Sequence, residues 1–255
     1  MERRFSVDGL ELACHLAQPV EIHPRSQPGL VIAHGFPAEA GGGANSTATF
    51  PELADRAATD HGWAALAFSS RGVGDSEGDF SLNGWLRDLN GAVAHLRAEV
   101  NVNAVFVVGF GTGGALAIEA AASNPAIRGV AAVAAPADFE DWARNPRKLL
   151  VLAREMGVVR DAQFPASFET WSEGLRSVRA ADAASRLAPR ELMVVHGSED
   201  DSVPVFDARA VADAHGAADL RIVQGARHHL RHDPRAIAIL LGWLDRQRAA
   251  LSATN

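Results

Sequence analysis

The chain turns from strand to helix within Val107-Val108-Gly109-Phe110-Gly111-Thr112-Gly113-Gly114-Ala115-Leu116-Ala117. The apolar run before the glycines predicts a buried strand, and the alanine-rich sequence after them predicts a helix. A sharp turn of this kind with the pattern G-x-S-x-G is typical of a nucleophile elbow, which exposes a serine hydroxyl. Gly109 and Gly113 occupy the outer positions of that pattern, but Gly111 occupies the position of the serine. Because glycine has no side chain that could attack a carbonyl carbon, the elbow is predicted to lack its nucleophile.

Short apolar runs elsewhere predict strands that are buried on both faces of a mostly parallel sheet. These strands are predicted at Pro28–His34, Trp63–Phe68, Ala104–Val108, Gly129–Ala134, Leu192–His196 and Leu220–Val223. A hairpin is predicted around Asp8-Gly9, and helical patterns separate the later strands. One of these helices is predicted to begin at Pro51, after a loop that ends at Phe50.

The alternation of strands and helices predicts a single α/β domain over residues 1–255. We expect about eight strands, mostly parallel, with helices on both faces of the sheet. The segment at about 137–187 has helical patterns and no strand pattern. It is predicted to form a short helical cap over the carboxyl ends of the strands, where ligands bind in sheets of this kind.

Composition limits the classes of partner. The 255 residues carry a net charge of −7, which argues against a nucleic-acid or anionic-membrane partner. Cys14 is the single cysteine, and no leader-like apolar segment follows the N-terminus, so a cytoplasmic protein is expected. No cofactor is expected, because G-F-G-T-G-G lacks both the Walker lysine and the dinucleotide spacing. We therefore expect a small-molecule substrate or ligand, and the sequence predicts no oligomeric state.

Two polar stretches after late strands complete a pattern with the elbow. His196-Gly197-Ser198-Glu199-Asp200-Asp201-Ser202-Val203-Pro204 follows one strand, and Gly225-Ala226-Arg227-His228-His229 follows the last. A carboxylate that orients an imidazole, and an imidazole that moves a proton, are two of the three parts of an acyl-transfer site. The chain also contains H-G-F-P at 34–37 and R-G-V-G-D-S at 71–76. With these five motifs in this order, nearly the whole chain resembles the α/β-hydrolase superfamily, especially its single-domain esterase, lipase and serine-peptidase-like branches.

The resemblance implies a role for each of four residues. Asp200 would be the acid and His228 the base, and the backbone N–H groups of Phe36 and Thr112 would form the oxyanion hole. Other residues close to these positions could take the same roles. The alternatives are Glu199, Asp201 and Asp138 for the acid, and His229 and His232 for the base. No metal is expected, since the three clustered histidines have no carboxylate or cysteine ligand at a matching spacing.

Four more residues in these motifs are expected to be structural. His34 and His196 each close a predicted strand, and we expect them to be packed and hydrogen-bonded rather than catalytic. Arg71 and Asp75 are expected to hold their glycine-rich loop together.

Several interpretations of Gly111 remain open at this point. Another side chain could replace the serine, the candidates being Thr112, Ser69, Ser70, Ser198, Ser202 and Cys14. Alternatively, the base could act on a water molecule or directly on a substrate proton, as in a lyase or isomerase. The protein could also bind a ligand without turnover, or the glycine could have been introduced to silence an ordinary serine hydrolase. The favoured prediction is a hydrolase of small carboxylic esters or related acyl bonds that depends on Asp200 and His228.

Overall fold

A computed structural model describes residues 3–19, 27–38 and 42–253 of the protein, with only the backbone described at 42–49. Eight strands lie in these ranges: β1 (Arg3–Val7), β2 (Leu10–Ala17), β3 (Gln27–Ala33), β4 (Ala64–Phe68), β5 (Val102–Phe110), β6 (Ile127–Val133), β7 (Glu191–Gly197) and β8 (Asp219–Val223). The α-helices of the same ranges are α1 (Gly42–His61), α2 (Leu82–Glu99), α3 (Thr112–Ser123), α4 (Glu140–Arg144), α5 (Pro146–Glu155), α6 (Phe168–Glu173), α7 (Ala180–Leu187), α8 (Val205–His215) and α9 (Pro234–Ala253).

The strands form one sheet in the order β1-β2-β4-β3-β5-β6-β7-β8. β1, β2 and β4 pair antiparallel, and every pair from β4 to β8 is parallel. The hairpin turn at Asp8-Gly9 has both residues at positive φ, 54° and 80°, which suits the right-handed twist of its strands. The predicted, mostly parallel sheet of about eight strands is confirmed.

Apolar residues cover both faces of the sheet. One buried cluster includes Leu89 of α2, Leu116 of α3 and Val211 of α8. The other buried cluster includes Ala57 of α1 and Trp243 of α9. The central strands β3 and β4 are buried along their whole length, because helices cover them on both sides.

The predicted start of the first helix is wrong. α1 begins at Gly42, and Pro51 lies inside it rather than at its first turn. Phe50, directly before the proline, is buried, and its ring packs 5.1 Å from the ring of Phe110. Burial of this side chain offsets the poor helix propensity of the preceding residues and the hydrogen bond that a proline removes.

A glycine-punctuated loop joins β4 to α2, and its centre is a buried ion pair. Arg71 binds the fully buried carboxylate of Asp88, with an N–O distance of 2.7 Å. The Ser76 hydroxyl donates to the Ser69 carbonyl at 2.6 Å and accepts from the Ala13 amide at 2.9 Å. Arg71 therefore holds the loop as expected. Asp75 is exposed at the loop surface, and the internal hydrogen bonds come from its neighbour Ser76.

The chain between β6 and β7 contains α4, α5, α6 and α7. α7 packs against α3 and α8 and so belongs to the helical layer on the sheet. Trp142 of α4 reaches towards the carboxyl ends of the strands, where its ring lies 5.3 Å from that of Phe36. Among the described residues, no helix has both the length and the apolar character that crossing a membrane requires.

Candidate active site

Gly111 forms the sharp turn between β5 and α3. Its backbone has φ 52° and ψ −122°, a conformation that L side chains rarely adopt, and its N–H donates to the Val133 carbonyl at 2.8 Å. A Cβ built on this glycine would lie 3.7 Å from the Gly35 Cα and 3.8 Å from the His228 Nε2. Both distances are ordinary van der Waals contacts. The turn therefore has the shape of a nucleophile elbow and could accommodate a side chain that faces the imidazole of His228.

The two outer glycines of the motif let the backbone pack closely around this turn. A Cβ on Gly109 would overlap the Gly113 carbonyl oxygen. A Cβ on Gly113 would overlap the His34 carbonyl oxygen and lie 2.7 Å from that of Ala33. Because these contacts are to backbone atoms, which cannot move away cheaply, the tight turn requires glycine at both positions.

The structure brings Asp200 and His228 into direct contact. The Nδ1 of His228 lies 2.9 Å from the Oδ2 of Asp200, although the residues are in different loops, after β8 and β7. The Asp200 side chain is fully buried, whereas a quarter of the His228 side chain is exposed. With a proton on Nδ1 donated to the carboxylate, the lone pair of Nε2 faces Gly111. An imidazole held in this way can accept a proton from a group beside the elbow.

Asp200 remains ionised despite its burial. Burial alone would raise the pKa of this carboxyl group, but donors surround it. His196 and His228 lie against Oδ2, and the backbone amides of Ser202 and Val203 donate to Oδ1 at 2.9 and 2.8 Å. Together these donors outweigh desolvation and hold the pKa of Asp200 well below its ordinary value.

His196 contacts the acid, which the sequence analysis did not predict. It is fully buried at the end of β7, and its Nε2 lies 2.9 Å from the Val203 carbonyl and 3.3 Å from the Asp200 Oδ2. The residue is packed and hydrogen-bonded, as expected, but one of its contacts is to the candidate catalytic carboxylate. The i, i+4 spacing of His196 and Asp200 was the available signal, and it indicates contact only once the turn between them is known.

His34 holds the loop that carries Phe36. Its Nε2 accepts the Ser70 N–H at 2.9 Å, so the proton is on Nδ1, which donates to the Gly35 carbonyl at 2.8 Å. Burial lowers the pKa of this imidazole to about 4, and the ring packs edge-on against Trp85. His34 is therefore a neutral structural residue, which confirms the prediction.

A cavity of about 650 Å³ opens beside the elbow, a volume typical of small-molecule sites. Its walls include Phe36, Gly111, Thr112, Trp142 and His228, so the residues named for the elbow, base and oxyanion hole share one space. Charged side chains also line this cavity. The charged residues in it are Asp138, Glu140, Asp141, Arg144, Asp207 and Arg231. Burial raises the pKa of Asp207 among them.

The alternative acids and bases lie in other surroundings. Glu199 and Asp201 are exposed, and Asp138 lines the cavity while accepting the Glu140 amide at 3.0 Å. The exposed ring of His229 lies 5.6 Å from that of His228, and the exposed His232 accepts from Arg231. Of these carboxylates, Asp200 is the one with a hydrogen bond to His228 in the described part of the chain.

The candidate replacements for the serine are spread over the molecule. Ser69 and Ser70 are buried in the loop after β4, and the Ser198 hydroxyl accepts the Gly225 amide at 2.8 Å. Ser202 lines the cavity, with its hydroxyl on Asp201 at 3.3 Å. Cys14 lies in β2, where burial raises the pKa of its thiol to about 11. Thr112 begins α3 and lines the cavity next to Gly111.

Comparison with known proteins adds a family match and a partial relative. A family model described as serine aminopeptidase, S33, matches residues 30–161, which is more than half of the chain. The 2-hydroxymuconate semialdehyde hydrolase of Pseudomonas sp. (strain CF600) is 33% identical over 91 residues. That match covers 35% of this chain, and the chain spans 31% of the length of that relative.

Solved structures share the whole architecture. Est1E from Butyrivibrio proteoclasticus with bound ferulic acid is 19% identical, with a TM-score of 0.73 over 97% of this chain and 99% of the other. The α/β hydrolase GrgF from Penicillium sp. sh18 is 22% identical, with a TM-score of 0.71 over 98% and 99%. An esterase from Pyrococcus furiosus is 15% identical, with a TM-score of 0.68 over 97% and 91%. Identities of this size establish a shared fold and leave the reaction to be argued from the site.

Proposed function

The chain belongs to the serine aminopeptidase S33 family of α/β-hydrolases, and we propose that it hydrolyses small carboxylic esters or related acyl bonds with water as the nucleophile. One observation carries this proposal. The His228 Nε2 lies 3.8 Å from a Cβ built on Gly111, while Asp200 binds the other ring nitrogen at 2.9 Å. A positioned base thus faces the place where a family member of the usual kind would present its serine hydroxyl.

In the proposed reaction, the His228 Nε2 takes a proton from a water molecule as the water oxygen attacks the carbonyl carbon of the substrate. Asp200 accepts the Nδ1–H bond and stabilises the imidazolium that forms. The N–H groups of Phe36 and Thr112 donate to the oxyanion of the tetrahedral intermediate, supported by the N-terminus of α3. When the intermediate collapses, His228 returns its proton to the leaving oxygen, and the acid and the alcohol are released.

Space beside Gly111 supports water as the nucleophile. A glycine leaves room beside the His228 ring, where a water O–H can donate to Nε2 at an oxygen–nitrogen distance of about 2.7–3.2 Å. A methyl group on residue 111 would occupy that room, since its carbon would already be in contact with Nε2. Replacement by alanine should therefore exclude the attacking water while leaving the base and the oxyanion donors in place.

The relatives agree with hydrolysis as the reaction class. One partial relative is named a hydrolase of 2-hydroxymuconate semialdehyde, one protein of the same fold is named an esterase, and another is described with ferulic acid bound. We propose an ester or related acyl substrate for this chain on the same basis, with its acyl part against the aromatic wall of Phe36 and Trp142.

The test is hydrolysis of p-nitrophenyl acetate and butyrate by the wild-type protein, His228→Ala and Gly111→Ala. We expect a measurable wild-type rate that falls by about 10²–10⁴-fold in His228→Ala, the usual contribution of a general base. Gly111→Ala should lose the rate to a similar extent by displacing water. A wild-type rate no higher than that of a heat-treated sample over a broad panel of esters would refute the proposal.

Binding without turnover is the second candidate, and it is favoured by the same missing hydroxyl at Gly111. A receptor of this kind would use the 650 Å³ cavity and would not need a base. Its ligand affinity should survive His228→Ala, whereas a hydrolase should lose its rate. Calorimetry with small aromatic esters and acids on both proteins separates the two candidates. A lyase or isomerase that uses the same Asp200–His228 pair would instead be active in assays that contain no ester. Its rate in those assays should be lost in His228→Ala.

A further inference from the structure

We propose that His196 is a positioning residue, a buried imidazole that holds the Asp200 carboxylate in place for His228. This inference rests on the proposed roles of Asp200 and His228, and its test has a readout that does not depend on turnover. His196 has no role in the acid, base and oxyanion set implied by the resemblance.

His196, Asp200 and Val203 each contact the other two residues. The Nε2–H of His196 donates to the Val203 carbonyl at 2.9 Å, and the same nitrogen lies 3.3 Å from the Asp200 Oδ2. The amide of the same Val203 donates to the Asp200 Oδ1 at 2.8 Å. His196 thus fixes both the carboxylate and the peptide that holds its other oxygen. Without it, the loop from Asp200 to Val203 loses its anchor on β7.

Burial fixes the tautomer of His196. The ring is fully buried, and its Nδ1 has no hydrogen-bond partner among the described residues. A proton on Nδ1 would be a buried donor without a partner among the described residues, whereas a proton on Nε2 has the Val203 carbonyl as its acceptor. The hydrogen-bonding proton of His196 is therefore the one on Nε2, where it binds the loop that carries Asp200.

The two imidazoles on Asp200 have different surroundings. The His196 side chain is fully buried at the end of β7 and interacts electrostatically with Asp207, whereas the His228 side chain is a quarter exposed and lines the cavity beside His229. One histidine can exchange a proton with a substrate, and the other cannot. These different roles explain why the fully buried carboxylate of Asp200 has two histidine partners.

His215 shows what the same kind of histidine looks like without a carboxylate. It is also buried, its Nε2 donates to the Arg190 carbonyl at 2.9 Å, and its Nδ1 has no partner in the described part of the chain. Arg190 precedes β7, so His215 lies at the opposite end of that strand from His196. Replacing His215 therefore controls for the cost of losing a buried imidazole–carbonyl bond.

The experiment is ¹⁵N-histidine NMR of the wild-type protein, His196→Leu, His196→Gln and His215→Leu. We expect the exchange of the His228 Nδ1 proton with water to quicken at least tenfold in His196→Leu and to remain unchanged in His215→Leu. His196→Gln keeps an N–H donor and should recover much of the protection. If the protein proves active on esters, kcat should fall about tenfold in His196→Leu while KM changes little.

Equal Nδ1 proton exchange in His196→Leu and the wild type, with both folded, would overturn the proposal. The wild-type spectrum gives a second test that needs no variant. The Nε2 of His196 should carry the hydrogen-bonded proton, and a tautomer with its proton on Nδ1 instead would also overturn the proposal. A protein that lacks ester hydrolysis but shows the predicted exchange pattern would refute the proposed function and leave the role of His196 intact.

Discussion

Gly111→Ser should convert this protein into a serine hydrolase of the usual kind. The new Cβ would meet the Gly35 Cα at 3.7 Å and the His228 Nε2 at 3.8 Å, so the backbone need not move. A hydroxyl oxygen one bond further out falls within hydrogen-bond reach of Nε2, about 2.6–3.2 Å. The His228 imidazole, the Asp200 carboxylate and the N-terminus of α3 already surround this position, so we expect the serine to need no other change to become a nucleophile.

The expected size of the effect follows from both the chemistry and the backbone. Loss of the serine from a complete triad costs about 10⁶-fold in kcat, so we expect a gain of roughly 10³–10⁶-fold, or about 4–8 kcal/mol in the transition state. A side chain at φ 52° costs roughly 1–3 kcal/mol of stability. For a chain of this length, a loss of about 2 kcal/mol lowers Tm by roughly 4–8 °C.

Two assays check this prediction. One is p-nitrophenyl butyrate hydrolysis, and the other is labelling by a fluorophosphonate, which reports an activated serine whatever the natural substrate is. Gly111→Ala is the matched control, because it carries the same backbone strain without a hydroxyl. The Tm of Gly111→Ala should fall by the same amount as that of Gly111→Ser, and the protein should remain unlabelled. A folded Gly111→Ser protein that gains neither rate nor label would refute the reasoning that His228 is aligned on residue 111.

Three further predictions concern the framework of the site. Asp88→Ala should cost up to about 3–5 kcal/mol in urea unfolding, because it removes the buried partner of Arg71 and leaves the guanidinium with the exposed Asp8, while the exposed Asp75→Ala should stay within about 0.5 kcal/mol. Gly113→Ala should destabilise the protein by roughly 1–3 kcal/mol through backbone overlap, whereas Gly242→Ala in α9, where a Cβ meets a single side-chain atom at 3.8 Å, should stabilise it by about 0.5–1 kcal/mol. His34 has a pKa lowered to about 4, so its contribution to stability is present above its unfolded value of about 6.5 and is lost as pH falls towards 4. Chemical unfolding between pH 7 and pH 4 should show a loss of up to about 3 kcal/mol from this group, and part of that pH dependence should disappear in His34→Gln.

Most of the sheet could be predicted because its strands are buried on both faces. A continuous short apolar run such as Leu30 to Ala33 is typical of a strand that is buried on both faces of a sheet. The error at α1 has a physical reason. The residues before Pro51 have poor helix propensity, and the contact between Phe50 and Phe110, which are far apart in sequence, supplies stability that no local pattern contains.

Motif order located the candidate site, and geometry added what motifs cannot contain. The frame around Asp200 and His228 identified two residues whose contact, at 2.9 Å, depends on loops after different strands. His196 was expected only to be a packed, hydrogen-bonded histidine. Its position at the end of a strand does not show which residues the following loop brings against it. Its contact with Asp200 arises from a tight turn held by the amides of Ser202 and Val203, and turn geometry is read poorly from sequence.

The arrangement around Gly111 is costly for a protein that uses its fold only as a scaffold. Asp200 is a fully buried charge held by several donors, and the buried Nδ1 of His196 has no hydrogen-bond partner in the ranges that the structure describes. Replacing such groups by apolar residues of similar size is often neutral or stabilising. A glycine at position 111 removes the backbone strain of the elbow but none of these other costs. A water-dependent reaction at His228 would use the buried carboxylate that orients the imidazole, and it would use the space that glycine leaves at residue 111, which is the combination that this chain has.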